Sequence, residues 1–328
     1  MRIAIVGAGA IGAYMGARLV LSGEDVTLIA RGPHLEAMQQ YGLTLLSTGP
    51  DGEELREHAT PRSVATPAEA GPQDSVIITL KAHQLTEVAP QLGPMFGPST
   101  SVVTAQNGVP WWYFHGIEGA LAETRLAAVD PGDVIWDAIT PQRVIGAIVY
   151  PATELAAPGV VRHISGDRFS LGELDGSRSD RVRELSRAMV AAGLRTSVRR
   201  RIRNELWIKL WGNVAFNPIS VLTGSTLAAI GAHPGTRALA RTAMLEAEAV
   251  ANALGEQFKI DVDQRIAGAA AVGEHKTSML HDYERGRPLE LGALVAAVIE
   301  LAQLVAVPTP TIEALYALTS LVDEGLGV

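Results

Sequence analysis

Lys209, Asn213 and Asn217 recur at intervals of four in an otherwise almost wholly apolar stretch, ELWIKLWGNVAFNPISVL, and Ser220 falls one step short of the next place. On a helix that spacing lines an amine and two carboxamides along one stripe. A surface helix mixes many charges into its polar face, whereas here a single cation stands among tryptophans and aliphatics. Buried, such groups are costly unless something polar meets them. They offer a positive charge, a proton and amide hydrogen bonds, which suits a small oxygen-rich substrate.

A second set of groups lies near the N-terminus. GAGAIG (Gly7, Ala8, Gly9, Ala10, Ile11, Gly12) follows a strand-like run at residues 2–6 and opens a helical pattern at 10–22. In that setting the loop reads as a dinucleotide-binding turn: the glycines permit the turn, the approach of a pyrophosphate and close helix–strand packing. The helix start adds unpaired N–H groups and a partial positive charge. The next strand, residues 26–30, is followed by Arg31 rather than by Asp or Glu. An acid there bonds the ribose 2′-hydroxyl of NAD, while a guanidinium suits the 2′-phosphate of NADP. The bland alternative is an arginine on a solvated turn. Lys81 directly follows SVIITL, and Asn107 follows VVTAQ. Open α/β sheets bind ligands outside such strand ends. Either residue could instead cap its strand; with the loop and the Lys209 stripe they describe a cleft.

The elements that must position these groups alternate through the first half of the chain. Strand-like runs at residues 2–6, 26–30, 75–80, 101–105 and 144–149 predict a parallel sheet with crossovers, and those near 160–163 and 169–174 look more irregular. After about residue 199 strand signals vanish, and helical patterns cover 202–222, 236–254, 263–271 and 288–305. The predicted class is therefore α/β: a Rossmann domain, doubly wound with a mainly parallel sheet, at 1–198, and an all-helical substrate and catalytic domain at 199–328. A chain of 328 residues can hold two such cores.

The net charge of −8 argues against a nucleic-acid partner, and the one basic run, residues 195–203, reads as a solvated domain junction. The absence of cysteine excludes a disulfide framework and fits a reducing cytoplasm. The apolar run at 3–21 is broken by glycines and Arg18 and leads into another strand, so it is not read as a secretory signal. No stretch reads as a membrane span, and the late run at 291–307 holds Glu300 and Gln303 as a core helix would. No metal-binding set is assigned.

Taken together, GAGAIG, Arg31, TLKAHQ around Lys81, QNG at Asn107, ELWIKLWGNVAFNP and HKTSMLHDYERGRPLE resemble the ketopantoate reductase family (2-dehydropantoate 2-reductases) along nearly the whole chain. The resemblance implies NADPH-dependent reduction of a 2-oxo acid, with the site between a Rossmann and a helical domain. It implies that Lys209 is the catalytic lysine and proton donor, and that Asn213 and Asn217 bind substrate. Asn107 falls on a residue touching nicotinamide and substrate. Ser278, within the segment 275–278, falls near the substrate carboxylate. Glu290 falls at the junction of cofactor and lysine, Lys81 and Arg31 fall on cofactor contacts, and Ala152 on a backbone contact to the cofactor. The implied partner is a small 2-oxo acid, with a homodimer as the assembly.

Two departures from the family stand out. After QNG come Val109, Pro110, Trp111, Trp112, Tyr113 and Phe114, then a long stretch to the strand at 144. Those aromatics could line a larger pocket or form a lid or subunit contact. After Glu290 the family's acidic residue and Asn-Gly pair give way to Leu291-Gly292-Ala293-Leu294-Val295, so some polar contacts are missing or come from elsewhere. Ketopantoate reduction in pantothenate biosynthesis is the leading reading. A reductase or D-2-hydroxy acid dehydrogenase for a bulkier acid is the second. A non-catalytic NADP-binding sensor is the third, against which Lys209 and Glu290 speak because a sensor needs neither.

Overall fold

The computed structural model describes residues 1–327. The chain opens with β1 (Arg2–Val6), α1 (Ala10–Leu21), β2 (Asp25–Ile29) and α2 (Gly32–Tyr41). A hairpin of β3 (Leu43–Thr48) and β4 (Glu54–Ala59) follows, then β5 (Arg62–Val64), α3 (Pro67–Ala70), β6 (Gln73–Ile78), α4 (Ala82–Val88) and β7 (Phe96–Thr104). Next come α5 (Val134–Ile139), β8 (Val144–Val149), β9 (Ala152–Ala157), β10 (Val160–Ser165), β11 (Arg168–Glu173), α6 (Asp180–Ala191) and β12 (Arg195–Val198). Helices alone complete the chain: α7 (Ile202–Thr223), α8 (Leu227–Ala232), α9 (Pro234–Ala253), α10 (Val262–Ala270), α11 (Ser278–Glu284), α12 (Ala297–Leu304) and α13 (Pro310–Glu324).

The main sheet runs β12-β11-β8-β7-β6-β1-β2-β5. Its strands from β8 across to β5 are parallel, and β11 turns antiparallel against β8. In the centre Ile3 lies between Val26 and Ser75, and Val6 between Ile29 and Ile78. Ile3 through Val6 are buried, as an interior strand covered on both faces requires. The mainly parallel sheet and the helical C-terminal region match the predicted fold class.

Three expectations need correction. A second sheet, β4-β3-β10-β9, was not foreseen, and the two irregular strands divide between the sheets: β10 joins the small one and β11 the large one. β4, ELREHA, is a polar edge strand and carries no apolar alternation to announce it. The basic run is not simply a solvated junction. Residues Arg195–Val198 form β12, paired in parallel with β11, and burial pulls the Arg203 guanidinium below its usual range. The helix expected over 288–305 starts later: residues 288–290 are not helical, and Gly292–Ala296 form a π-helix before α12.

The chain folds as two compact units, Met1–Gln106 with Phe114–Arg125 and Gly132–Ile202, and Asn107–Tyr113 with Leu126–Pro131 and Arg203–Val328. In the second unit α7 carries Trp207, Trp211 and Phe216 into the interior. The Trp211 indole donates to the Met244 carbonyl of α9 at 2.7 Å and its ring stacks on Phe258 at 4.1 Å. Buried alanines at 240, 243, 247 and 251 of α9 keep to helical spacing, giving that helix a smooth face for close packing. Among the described residues no helix is long and apolar enough to cross a membrane.

Candidate active site

In the first unit the topology brings three strand ends together, because β6, β1 and β2 are neighbours and run parallel. The GAGAIG loop leaves β1, Arg31 follows β2, and Lys81 follows β6. The loop is fastened below: Gly7 N–H and Ala8 N–H donate to the Ile29 carbonyl at 3.2 and 3.0 Å, and the Thr79 hydroxyl donates to the Gly7 carbonyl at 2.6 Å. Gly7 takes φ +96°, a left-handed value that disfavours a side chain. A Cβ on Gly12 would collide with the Gly7 carbonyl, so helix and loop touch only because it is absent.

Gly9 differs. It caps α1 with no side chain over the first-turn N–H groups, and the place of its missing Cβ opens onto free space. That cradle, at the positive end of a 12-residue helix, fits a pyrophosphate. Ala8 is buried, and Ala10 and Ile11 are half-buried around it. Arg31 is exposed at the start of α2, and among the described residues it has no ion-pair partner. Lys81 is half-buried at the start of α4. Ala152 begins β9 in the small sheet, a different sheet from the three strand ends, although β9 lies against α1.

In the second unit the stripe forms as spaced. Lys209 and Asn213 are half-buried on α7, and Asn217 is 4% exposed. The Lys209 ammonium donates to the Asn107 side-chain oxygen at 2.5 Å. Burial draws its pKa down from 10.5 to about 8, while the charge of buried Glu290 opposes that fall. Asn217 Nδ2 is buried and, among the described residues, meets no hydrogen-bond partner. An amide donor left so costs about 1–3 kcal/mol. One turn on, the Ser220 hydroxyl donates to the Asn217 carbonyl at 2.8 Å and meets the Thr277 hydroxyl at 2.5 Å. Thr277 caps α11 by accepting from Leu280 N–H at 3.1 Å, so Ser278 begins that helix beside the end of the stripe, exposed. Lys209, Asn107, Glu290 and the stripe are thus one assembly, and Ser278 is joined to it through two buried hydroxyls. Sequence reasoning missed the Ser220–Thr277 link; the off-step serine was its only visible trace.

Both departures resolve structurally. Trp111, Trp112, Tyr113 and Phe114 are 0 to 3% exposed, so they are interior residues rather than an exposed lid. The apolar run after Glu290 turns its backbone to use: the Ala293 carbonyl, inside the π-helix, accepts from Val109 N–H at 2.8 Å.

An ammonium of lowered pKa held on a carboxamide oxygen can protonate and hold an oxyanion, and a glycine cradle with an exposed guanidinium can hold a phosphorylated dinucleotide. Comparison with known proteins agrees in kind. Residues 3–176 match the family described as ketopantoate reductase PanE/ApbA, and 201–323 match its C-terminal part. The 2-dehydropantoate 2-reductase of Mesorhizobium japonicum is 60% identical over 97% of this chain and 96% of its own. A solved structure from Ralstonia solanacearum MolK2, described as a candidate ketopantoate reductase, is 41% identical with a TM-score of 0.92, covering 100% of this chain and 99% of that one. A D-mandelate dehydrogenase crystallised with NADH and anilino(oxo)acetate shares the fold at 22% identity, with a TM-score of 0.84 over 100% of both chains.

Proposed function

The chain belongs to the ketopantoate reductase family, oxidoreductases acting on a CH–OH group, and on that premise we propose that it reduces ketopantoate to pantoate with NADPH, Lys209 delivering the proton. A nicotinamide cofactor goes with the family; the choice of NADPH rests on Arg31 standing where an acid would select NAD. When bound, the cofactor supplies the hydride that reaches the keto carbon.

The chain's own residues do the rest. Residues 1–198 hold the cofactor: Gly7 to Gly12 receive the pyrophosphate, Arg31 the 2′-phosphate, and Lys81 a neighbouring phosphate or ribose oxygen, with Ala152 offering backbone. Residues 199–328, joined by Asn107, hold the substrate. As charge grows on the keto oxygen, the Lys209 ammonium stabilises it and gives up its proton. Such acid assistance is worth roughly 100- to 10,000-fold in rate. Glu290 keeps the ammonium charged and in place, and Asn107 orients it. Asn213 and Asn217 hold substrate oxygens, and Ser278 meets the carboxylate. The lysine of lowered pKa held on the Asn107 oxygen, with the buried amide of Asn217 two turns along the same stripe, carries this reading.

The assembly proposed is a homodimer, to which Leu318 and Leu321 on α13, 56% and 69% exposed, offer an apolar face. The compartment proposed is the cytoplasm, in keeping with a chain without cysteine. NADPH oxidation with ketopantoate by the wild type and by Lys209→Ala tests the central claim. Turnover should fall at least about 100-fold in the variant, with NADPH binding retained. Near-normal turnover would remove Lys209 from the chemistry.

A further inference from the structure

The segment Asn107–Tyr113 leaves the first unit to fold with the second, and it is tied down at both ends on a single helix. At its start the Asn107 side-chain oxygen accepts from Lys209. At its end the Tyr113 hydroxyl accepts from the Trp207 indole N–H at 2.7 Å, and the Tyr113 carbonyl accepts from Arg203 Nε at 2.7 Å. Arg203 and Trp207 are four apart on α7 and share a side. Lys209, two beyond Trp207, points about 200° away around the axis. The segment therefore grips α7 from both sides. Its middle is held separately: Val109 N–H donates to the Ala293 carbonyl, and Gly108, at φ +86°, lies so close to Ala293 that a Cβ would strike that carbonyl.

We propose that Asn107–Tyr113 is a positioning strap, in which the buried Tyr113–Trp207 hydrogen bond and the Gly108 seat on the π-helix set where the Asn107 carboxamide meets Lys209. Tyr113 and Trp207 act through Asn107 and touch neither substrate nor cofactor, so they are positioning residues. The aromatic run is large and buried because such a strap needs an anchor that does not slide; rings enclosed in the core, with one directional bond between them, provide it. The π-helix contributes the other hold, since its wider turn directs a main-chain carbonyl outward to the strap. An Asn107 displaced by an ångström would leave the ammonium without its fixed acceptor. Displacement on that scale costs rate on the order of 100-fold in well-oriented sites.

The proposal rests on Lys209 being the proton donor, so the test includes Lys209→Ala. Tyr113→Phe and Trp207→Phe each delete one partner of the anchoring bond and keep a ring in place. Steady-state reduction of ketopantoate is measured on both sides of the Lys209 pKa of about 8, with NADPH binding followed by fluorescence and folding by thermal melts. Glu290 is the charged group acting on Lys209, and it is intact in every variant. The expected result is a fall in kcat of about tenfold or more in both aromatic variants. The alkaline limb of the rate should move to lower pH, because the ammonium has lost a fixed acceptor. A role confined to stability lowers the melting temperature and leaves kcat and the limb where they were; that result in either folded variant overturns the strap. Normal turnover in Lys209→Ala overturns the proton-donor reading, and the strap with it.

Discussion

At the residue scale the decisive quantity is the protonation of Lys209. Two opposed effects act on it: burial disfavours the charged amine and dominates, and the Glu290 carboxylate favours it, leaving a value of about 8. The sign of the pH dependence follows. In the proposed role reduction takes a proton from the ammonium, so its rate should be level below that value and fall as pH rises through it. Alcohol oxidation needs the neutral amine and should rise over the same interval. Both limbs should vanish in the residual activity of Lys209→Ala. Arg31 is the other residue whose part can be isolated. It is exposed and, among the described residues, unpaired, so its removal costs the fold little. Arg31→Ala should weaken NADPH binding by at least about tenfold, the loss of one charge-assisted phosphate contact, while NADH binding changes little. An equal loss for both cofactors would show that Arg31 does not read the 2′-phosphate.

At the scale of elements, the β1–α1 turn shows two glycines needed for different reasons. Gly12 is a packing glycine: its Cβ would meet the Gly7 carbonyl and the Thr79 side chain. Gly9 has open space before it and φ −69°, which any residue can adopt, so nothing within the chain requires glycine there. Gly9→Val should lower the melting temperature of the unliganded protein only slightly, as a poorer N-cap, and abolish its rise with NADPH, which at a hundred times Kd corresponds to about 2.7 kcal/mol. Gly12→Val should lower the unliganded melting temperature as well. If both variants behave alike in differential scanning fluorimetry, the cradle is not where the cofactor lies. Helix α7 is likewise specialised. Pro218 sits inside it, next to Asn217, and cannot donate to the carbonyl four residues back. The stripe therefore ends where the helix is locally weakened, and there the Ser220–Thr277 contact supplies a hold from outside.

At the scale of the whole molecule, the first half of the chain twice lends a short segment to the second unit, Asn107–Tyr113 and Leu126–Pro131. The second loan is held from α12: the Glu300 carboxylate accepts from Ala127 N–H and Ala128 N–H, both at 2.9 Å. Two charge-assisted bonds at a half-exposed site make Glu300→Ala destabilising by about 1–3 kcal/mol in a denaturant melt, and a loss within error would mean the segment is held by other contacts. Such loans explain what a reader of the sequence could and could not see. The glycine loop, Arg31, Lys81 and the Lys209–Asn213–Asn217 stripe were legible because each is local: a turn between a strand and a helix, a strand end, a spacing of four. The mainly parallel sheet and the helical second half were legible for the same reason, through short continuous apolar runs and a period near four. The polar edge strand β4, the π-helix after Glu290 and the interior fate of Trp111 to Phe114 were not. Burial of an aromatic run beside a substrate residue depends on which distant helix receives it, and local pattern carries no record of that. The sequence by itself determined which groups are available for the chemistry. Only the tertiary structure decided that Asn107, 102 positions before Lys209, lies on its ammonium, that Glu290 acts on the same charge, and that the Asn217 amide is buried, because those states exist only once remote segments exclude water together.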